Sequence, residues 1–279
     1  MEQKFSTVIV PKTKLLDFHF KEVLKYRDLV FLLVRRNFVS QYKQTILGPL
    51  WALIQPLLTT IVFTVVFGRL AGLAADGVPS FLFFMSGNIA WHYFSSCLTQ
   101  TANTFTGNAG ILGKVYFPRI VMPISTVLTN LISFSIQFVM FLVLLAIYWA
   151  KGAVQPTWYA LMLPALLLQM AMLSLGVGII ISSLTTKYRD LKMLIGFGVQ
   201  LWMYGTPVAY DIGIVPQRFM DVYMLNPMTP IINTFRTAFL GLGSFDLLHY
   251  LISWGVTILI LFLGLLLFNR VEKTFMDTV

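Results

Sequence analysis

Apolar residues gather into six stretches without a central charge, near 47–67, 79–98, 121–150, 158–184, 193–210 and 248–268. A helix needs about 20 apolar residues to cross a hydrocarbon layer of about 30 Å. A charge at its centre costs roughly 2.5–3.5 kcal/mol on insertion scales, so each stretch predicts a membrane span. The third and fourth are long for the layer and are expected to tilt or project. Pro123 and Pro164 sit in them as expected kinks, which membrane helices tolerate when neighbours satisfy the freed carbonyls. The fifth is short.

Ahead of the first span, 17–43 carries Phe20, Val23, Leu24, Leu29, Leu32 and Leu33 at helical intervals, with Lys21, Lys25, Arg35 and Arg36 between them. This pattern predicts a helix lying at the membrane surface. Its apolar run, 29–34, is too short to span, and Arg35-Arg36 closes it. Between the fifth and sixth spans, a 37-residue connection over 211–247 holds two apolar pieces, 212–225 with Pro216 inside it and 230–240. Ile231, Phe235 and Phe239 recur every four residues in the second, and Asn226-Pro227 separates the two. Thr229 before Pro230 is a helix start, since proline suits the first helical turn. Two short re-entrant helices are therefore expected, in the outer leaflet, where interrupted backbone must be covered by protein or line a water-filled path. The fold class is an all-α integral membrane protein with six transmembrane helices, an N-terminal amphipathic interface helix and two re-entrant helices between spans five and six. Residues 1–46 form the amphipathic region and 47–279 the membrane domain. No internal repeat aligns the two three-span halves.

Composition agrees: 57% hydrophobic and 11% charged residues, with a mean hydropathy of +0.79, lie outside the soluble range. Net charge is +9. With six spans, sixteen of the Lys and Arg residues fall on the side of the termini and four (Arg69, Lys151, Arg218, Arg236) on the other. The positive-inside rule then places both termini in the cytoplasm, and the charge requires no nucleic-acid partner. The N-terminal residues lack a short apolar core with a small-residue cleavage site, so an uncleaved first span is expected to direct insertion. The lone Cys97 forms no internal disulfide.

The stretches lack the buried ionisable relays of ion-coupled carriers. His92 and His249 have no Cys or carboxylate partner at ligand spacing, so no metal is expected. No set of nucleophile, base and acid supports an enzyme. What the spans hold is uncharged: Gln55, Thr59, Thr60, Asn88, Asn130, Gln137, Gln169 and Gln200, with the aromatics Trp51, Trp91, Tyr93, Phe94, Trp202 and Tyr204. Helix–helix hydrogen bonds and aromatic belts explain such residues singly. Together they also suit a path for a hydrated neutral polymer, which strong binding would halt. The glycine-rich run over 103–119 is no phosphate loop, because Asn108 stands where the first glycine belongs and Val115 where magnesium needs a hydroxyl.

Three motifs, "VRRNFVSQYKQTILGPLWALIQPLLTTIVFTVVFG" (34–68), "GKVYFPRIVMP" (113–123) and "LNPMTPIINTFRTAFLG" (225–241), resemble the transmembrane subunit of ABC exporters for bacterial cell-surface polysaccharides. That family includes O-antigen, capsule and teichoic acid exporters. The resemblance implies a homodimer of six-span permeases in the inner membrane, driven by two copies of a separate ATPase that binds the ATP and magnesium; this chain would hold no cofactor. The cargo it implies is a glycan on undecaprenyl diphosphate, with O-antigen foremost, teichoic acid or capsule as alternatives, and a drug or lipid exporter as a further one. Carried onto this sequence, 17–43 looks like the interface and gate helix. The loop over about 99–120 looks like the ATPase-coupling element, with Asn108, Gly113, Lys114, Phe117 and Arg119. Arg35, Arg36 and Lys43 would meet the lipid diphosphate at the entrance. Gln55, Thr59, Trp91, Tyr93, Trp202 and Tyr204 would line the channel. Pro216, Asn226, Pro227, Phe235 and Arg236 would form the external gate within about 211–247.

Overall fold

A computed structural model describes residues 25–43, 45–107, 110, 117–187 and 190–278 of the chain. They form an all-α structure, with no strand among the described residues. The first helix, α1 (Arg27–Tyr42), buries Val30 and Leu33, which lie three apart and so share one face. That face packs on the base of the bundle with Phe117, Ile120, Val121, Met122, Ile179, Leu265 and Phe268. Phe31 and Leu32 are exposed, as are Arg35 and Arg36. The outward side of α1 thus mixes apolar and basic residues, as a helix at a lipid surface does.

The chain turns extended at Lys43. Gly48, with φ at +50°, takes the left-handed conformation that starts the next element. This is a 3-10 turn (Gly48–Leu50), helix α2 (Trp51–Phe63) and a π-helical continuation (Thr64–Leu70). Helix α3 (Ser80–Ala102) follows, then the short α4 (Thr104–Gly107) and α5 (Val121–Ala150). A 3-10 turn (Trp158–Met162) leads into α6 (Leu163–Lys187), followed by α7 (Leu191–Tyr204). On the connection that the sequence marked stand α8 (Gln217–Met224) and α9 (Met228–Leu240), before the long α10 (Leu247–Thr278).

Among the described residues four stretches are long and apolar enough to cross a membrane: Gly48–Leu70, Val121–Ala150, Trp158–Thr185 and Leu247–Arg270. The other two expected spans differ for identifiable reasons. Helix α3 has 23 residues, about 35 Å at 1.5 Å each, which is enough to cross. It runs through the middle of the bundle, against α2, α5, α6 and α9, and is buried without a break from Leu82 to Trp91. Neighbouring helices rather than lipid surround it, so it carries Ser86, Asn88 and Gln100 and is less apolar than a lipid-facing helix. Helix α7 has 14 residues, about 21 Å, and ends in a buried turn over 206–209.

Neither Pro123 nor Pro164 acts as a kink. Each stands in the first turn of its helix, α5 and α6, where no intrahelical donor is lost. Backbone contact is closest where α6 crosses α10. A Cβ on Gly176 would lie 2.8 Å from the Leu261 backbone, and one on Gly264 would lie 2.7 Å from the Gly176 carbonyl. Two positions further, a Cβ on Gly178 would meet Thr101 of α3 at 2.7 Å. Small residues let helices approach until their backbones touch, a main source of association where lipid offers no hydrophobic drive.

Candidate functional site

A half-open cavity of about 440 Å³ between α1, α2, α3 and α5 is lined mostly by polar side chains. Helix α1 supplies Gln41 and Tyr42, and Thr45 follows it. Helix α2 gives Trp51, Ala52, Gln55 and Pro56; α3 gives His92, Ser96 and Gln100; α5 gives Ser133 and Gln137. Each set recurs at intervals of three or four residues, so each is a stripe on one helical face, and three stripes converge. Two of the twelve residues, Ala52 and Pro56, lack a polar side-chain atom, and none is a carboxylate, lysine or arginine.

Hydrogen bonds tie the walls together. Gln100 and Asn130 exchange their amides, Nε2 donating to Asn130 Oδ1 at 3.2 Å and Asn130 Nδ2 to Gln100 Oε1 at 3.0 Å. This pins α3 to α5. Gln137 Nε2 reaches His92 Nδ1 at 3.4 Å, so the ring nitrogen accepts when the amide donates. Gln137 Oε1 is buried with no hydrogen-bond partner. On the α1 side, the Tyr42 hydroxyl meets Ser133 Oγ at 3.3 Å, joining the last turn of α1 to α5.

Of the residues expected to line a channel, Gln55 alone joins this cavity. Thr59 stands one turn along, exposed, its hydroxyl donating to the Gln55 carbonyl at 3.0 Å. Tyr204 is exposed on α7. Trp91 and Tyr93 are buried in a single chain: Trp91 packs against Phe94 and Trp202, with centroids at 5.3 and 6.5 Å, and Tyr93 against Phe134 at 5.4 Å. Tyr42, His92, Ser96, Gln100 and Ser133 were not picked out as lining. The i, i+4, i+8 spacing of 92, 96 and 100, beside 130, 133 and 137, is the sequence signal that marks them.

Arg35, Arg36 and Lys43 are exposed along α1, with Arg36 also bonded to Asn37 Oδ1 at 3.0 Å. Phe117 is buried against α1 in the cluster at the bundle's base, and Arg119 is half-buried beside it. Asn108, Gly113 and Lys114 lie outside the described residues.

The expected external-gate residues come together around α9. Asn226 uses its whole amide: Oδ1 accepts from Trp202 Nε1 at 2.9 Å and from the Met228 amide at 3.2 Å. Its Nδ2 donates to the Gly205 carbonyl and to Thr206 Oγ1, each at 2.9 Å. The Pro227 carbonyl accepts from Ser253 of α10, whose hydroxyl in turn accepts from Gln169 of α6. Phe235 is fully buried among Phe138, Phe141 and Phe239. Arg236 is buried with its guanidinium 3.7 Å over the Phe83 ring, donating to the carbonyls of Val208 and Tyr210. Gly87 leaves the space it occupies, since a Cβ there would sit 2.9 Å from Nη2. Pro216 caps α8, whose Gln217, Arg218, Phe219, Asp221 and Val222 are exposed. Asp246 caps α10: its carboxylate accepts from the His249 amide and meets His249 Nδ1 at 2.6 Å, so His249, expected to lack a carboxylate partner, has one three residues before it; this side-chain hydrogen bond holds the Asp246 pKa below the ordinary carboxylate value. Among the described residues no cluster of His, Cys, Asp and Glu has the makings of a metal site.

The chain is similar over most of its length to permeases of glycan export. It is 27% identical over 251 residues to the O-antigen export system permease protein RfbA of Klebsiella pneumoniae, covering 90% of this chain and 94% of that one. With the RfbA permease of Myxococcus xanthus it shares 30% over 224 residues, 78% of this chain and 83% of that protein. The polysialic acid transport protein KpsM of Escherichia coli is 21% identical over 246 residues, 87% and 93% of the two chains. The ABC-2 type transporter profile matches residues 28–240, from the start of α1 to the end of α9, and the chain belongs to that family of membrane transport proteins.

Proposed function

We propose that this chain is the permease half of an exporter that carries a lipid-linked polysaccharide, foremost O-antigen on undecaprenyl diphosphate, outward across the bacterial inner membrane. Two copies form the pathway, and two copies of a separate ATPase drive it with ATP and magnesium bound in that partner. Each copy crosses six times, through the four long apolar stretches together with α3 and α7, leaving both termini in the cytoplasm. Helices α8 and α9 dip into the outer leaflet as the external gate. The observation that carries this reading is the similarity to O-antigen permeases over nine-tenths of both chains. The interior supports it: a wall of amides, hydroxyls and rings without fixed charge suits a neutral hydroxylated polymer, which must be held weakly enough to move.

Roles follow from position. Arg35, Arg36 and Lys43 project from α1 where anionic lipid headgroups lie, and take the diphosphate there. Phe117 and Arg119, with Asn108, Gly113 and Lys114, form the element through which the ATPase moves the bundle. Gln55, Thr59 and Tyr204 face the pathway, while Trp91, Tyr93 and Trp202 back it. Capsule is the next cargo, since the similarity extends to KpsM.

Deleting the gene for this chain in its host should strip the glycan from the cell surface and leave polymer on the lipid carrier inside, with both restored by a plasmid copy. Unchanged surface glycan in the deletion strain would overturn the reading.

A further inference from the structure

We propose that the cavity between α1, α2, α3 and α5 is a docking site for an uncharged sugar unit of the exported glycan. The proposal rests on the exporter reading and adds to it a place, on the α5 side of the first span, where sugar is held. At about 440 Å³ the cavity falls within the roughly 300–1,000 Å³ common for small-molecule sites.

Its chemistry selects the ligand. A phosphate would need a cation on the wall and a metal ion would need carboxylates, and neither is present. What the wall presents are carboxamides, hydroxyls and an imidazole, groups that both donate and accept as sugar hydroxyls do. One is unsatisfied: Gln137 is 1% exposed and its Oε1 has no partner. A buried polar atom left this way costs free energy that a ligand hydroxyl would recover. Trp51, on the wall and 45% exposed, offers a flat ring to the apolar face of a sugar. The cavity is open on one side, and Tyr42 and Ser133, joined by a 3.3 Å hydroxyl pair, add two groups that donate and accept to its wall.

The test places a photoreactive benzoylphenylalanine at position 55, and separately at 45, in the assembled transporter of cells making the glycan. Position 259, exposed on α10, serves as the control. Irradiation should yield a periodate-sensitive, sugar-bearing adduct at 55 or 45 and none at 259, and the adduct should vanish in a strain blocked in glycan synthesis. Gln137→Leu in the same background should lower the yield about tenfold, the scale of one lost buried hydrogen bond. The adduct is read without that variant, so its failure to fold leaves the test intact. Lipid-only or absent adducts while surface glycan is still exported would overturn the docking site and leave the exporter reading standing. Loss of export in none of the gene-deleted cells would instead remove the exporter reading itself.

Discussion

Asn226 shows how much one side chain carries. Its amide joins the end of α7, through Trp202, Gly205 and Thr206, to the first turn of α9, through Met228, with four hydrogen bonds. Replacing it by Ala takes the partner from two donors, the half-buried Trp202 Nε1 and the Met228 amide, and from two acceptors. Leaving such groups unmade costs about 1–3 kcal/mol each, so Asn226→Ala should lower the thermal unfolding midpoint of the detergent-purified protein by several degrees. A midpoint within a degree of the native one would show that water replaces these bonds. Asn226-Pro227 was legible in the sequence as the break between two helices, because an Asn-Pro pair favours a turn. Its partners at the end of α7 were not, since they lie twenty or more residues away in sequence and are fixed only by packing. Arg236 is similar: the sequence placed it on a short helix as an external-gate residue, without showing that it is buried on the face of Phe83. Nothing local announces a guanidinium stabilised by carbonyls and a ring.

Helices divide by what surrounds them. The hydropathy pattern located the four long apolar stretches within a few residues, because each leaves a broad apolar side outside the bundle, although α10 continues to Thr278, past the expected end. Helix α3 was found by its lack of charge, but its central place was not legible, since a buried helix in a bundle needs only neutrality and close fit. Glycines make the same point. Gly176 and Gly196 both sit mid-helix, yet a Cβ on the first would strike the α10 backbone at 2.8 Å and one on the second would meet nothing within 4 Å. Gly176→Leu should force α6 and α10 apart and leave little folded protein in the membrane fraction. Gly196→Leu should insert and fold at native levels as a single chain. Equal yields of the two, measured by size-exclusion chromatography in detergent, would contradict the close crossing. Any loss of pairing by Gly196→Leu in that experiment would mark the open face of α7 as a contact between copies.

At the scale of the whole molecule, α1 is the part whose position both sides of the proposed machine share. Its buried face lies on Phe117, Ile120, Val121 and Met122, where the segment expected to meet the ATPase runs into α5. Its last turn lines the polar cavity through Tyr42. The sequence predicted a helix where α1 stands and, through the resemblance, an ATPase-coupling role for the 99–120 loop. It did not reveal that Phe117 fastens one to the other, because that contact joins residues some eighty positions apart. A push on the loop is thereby a push on α1. Phe117 is a large, buried ring, and truncating such a ring typically costs about 3–5 kcal/mol of packing where the site cannot collapse. Here the loss is local to the joint, while the long helices keep their own contacts. Phe117→Ala should therefore insert normally and still bind the ATPase, while the glycan exported per ATP hydrolysed falls severalfold. Phe117→Leu, which keeps most of the apolar contact, should restore much of it. The measurement is surface glycan against phosphate release in the reconstituted complex. A fall in both by the same factor would instead mean that the ring serves assembly, and native values of both would remove Phe117 from the path of force.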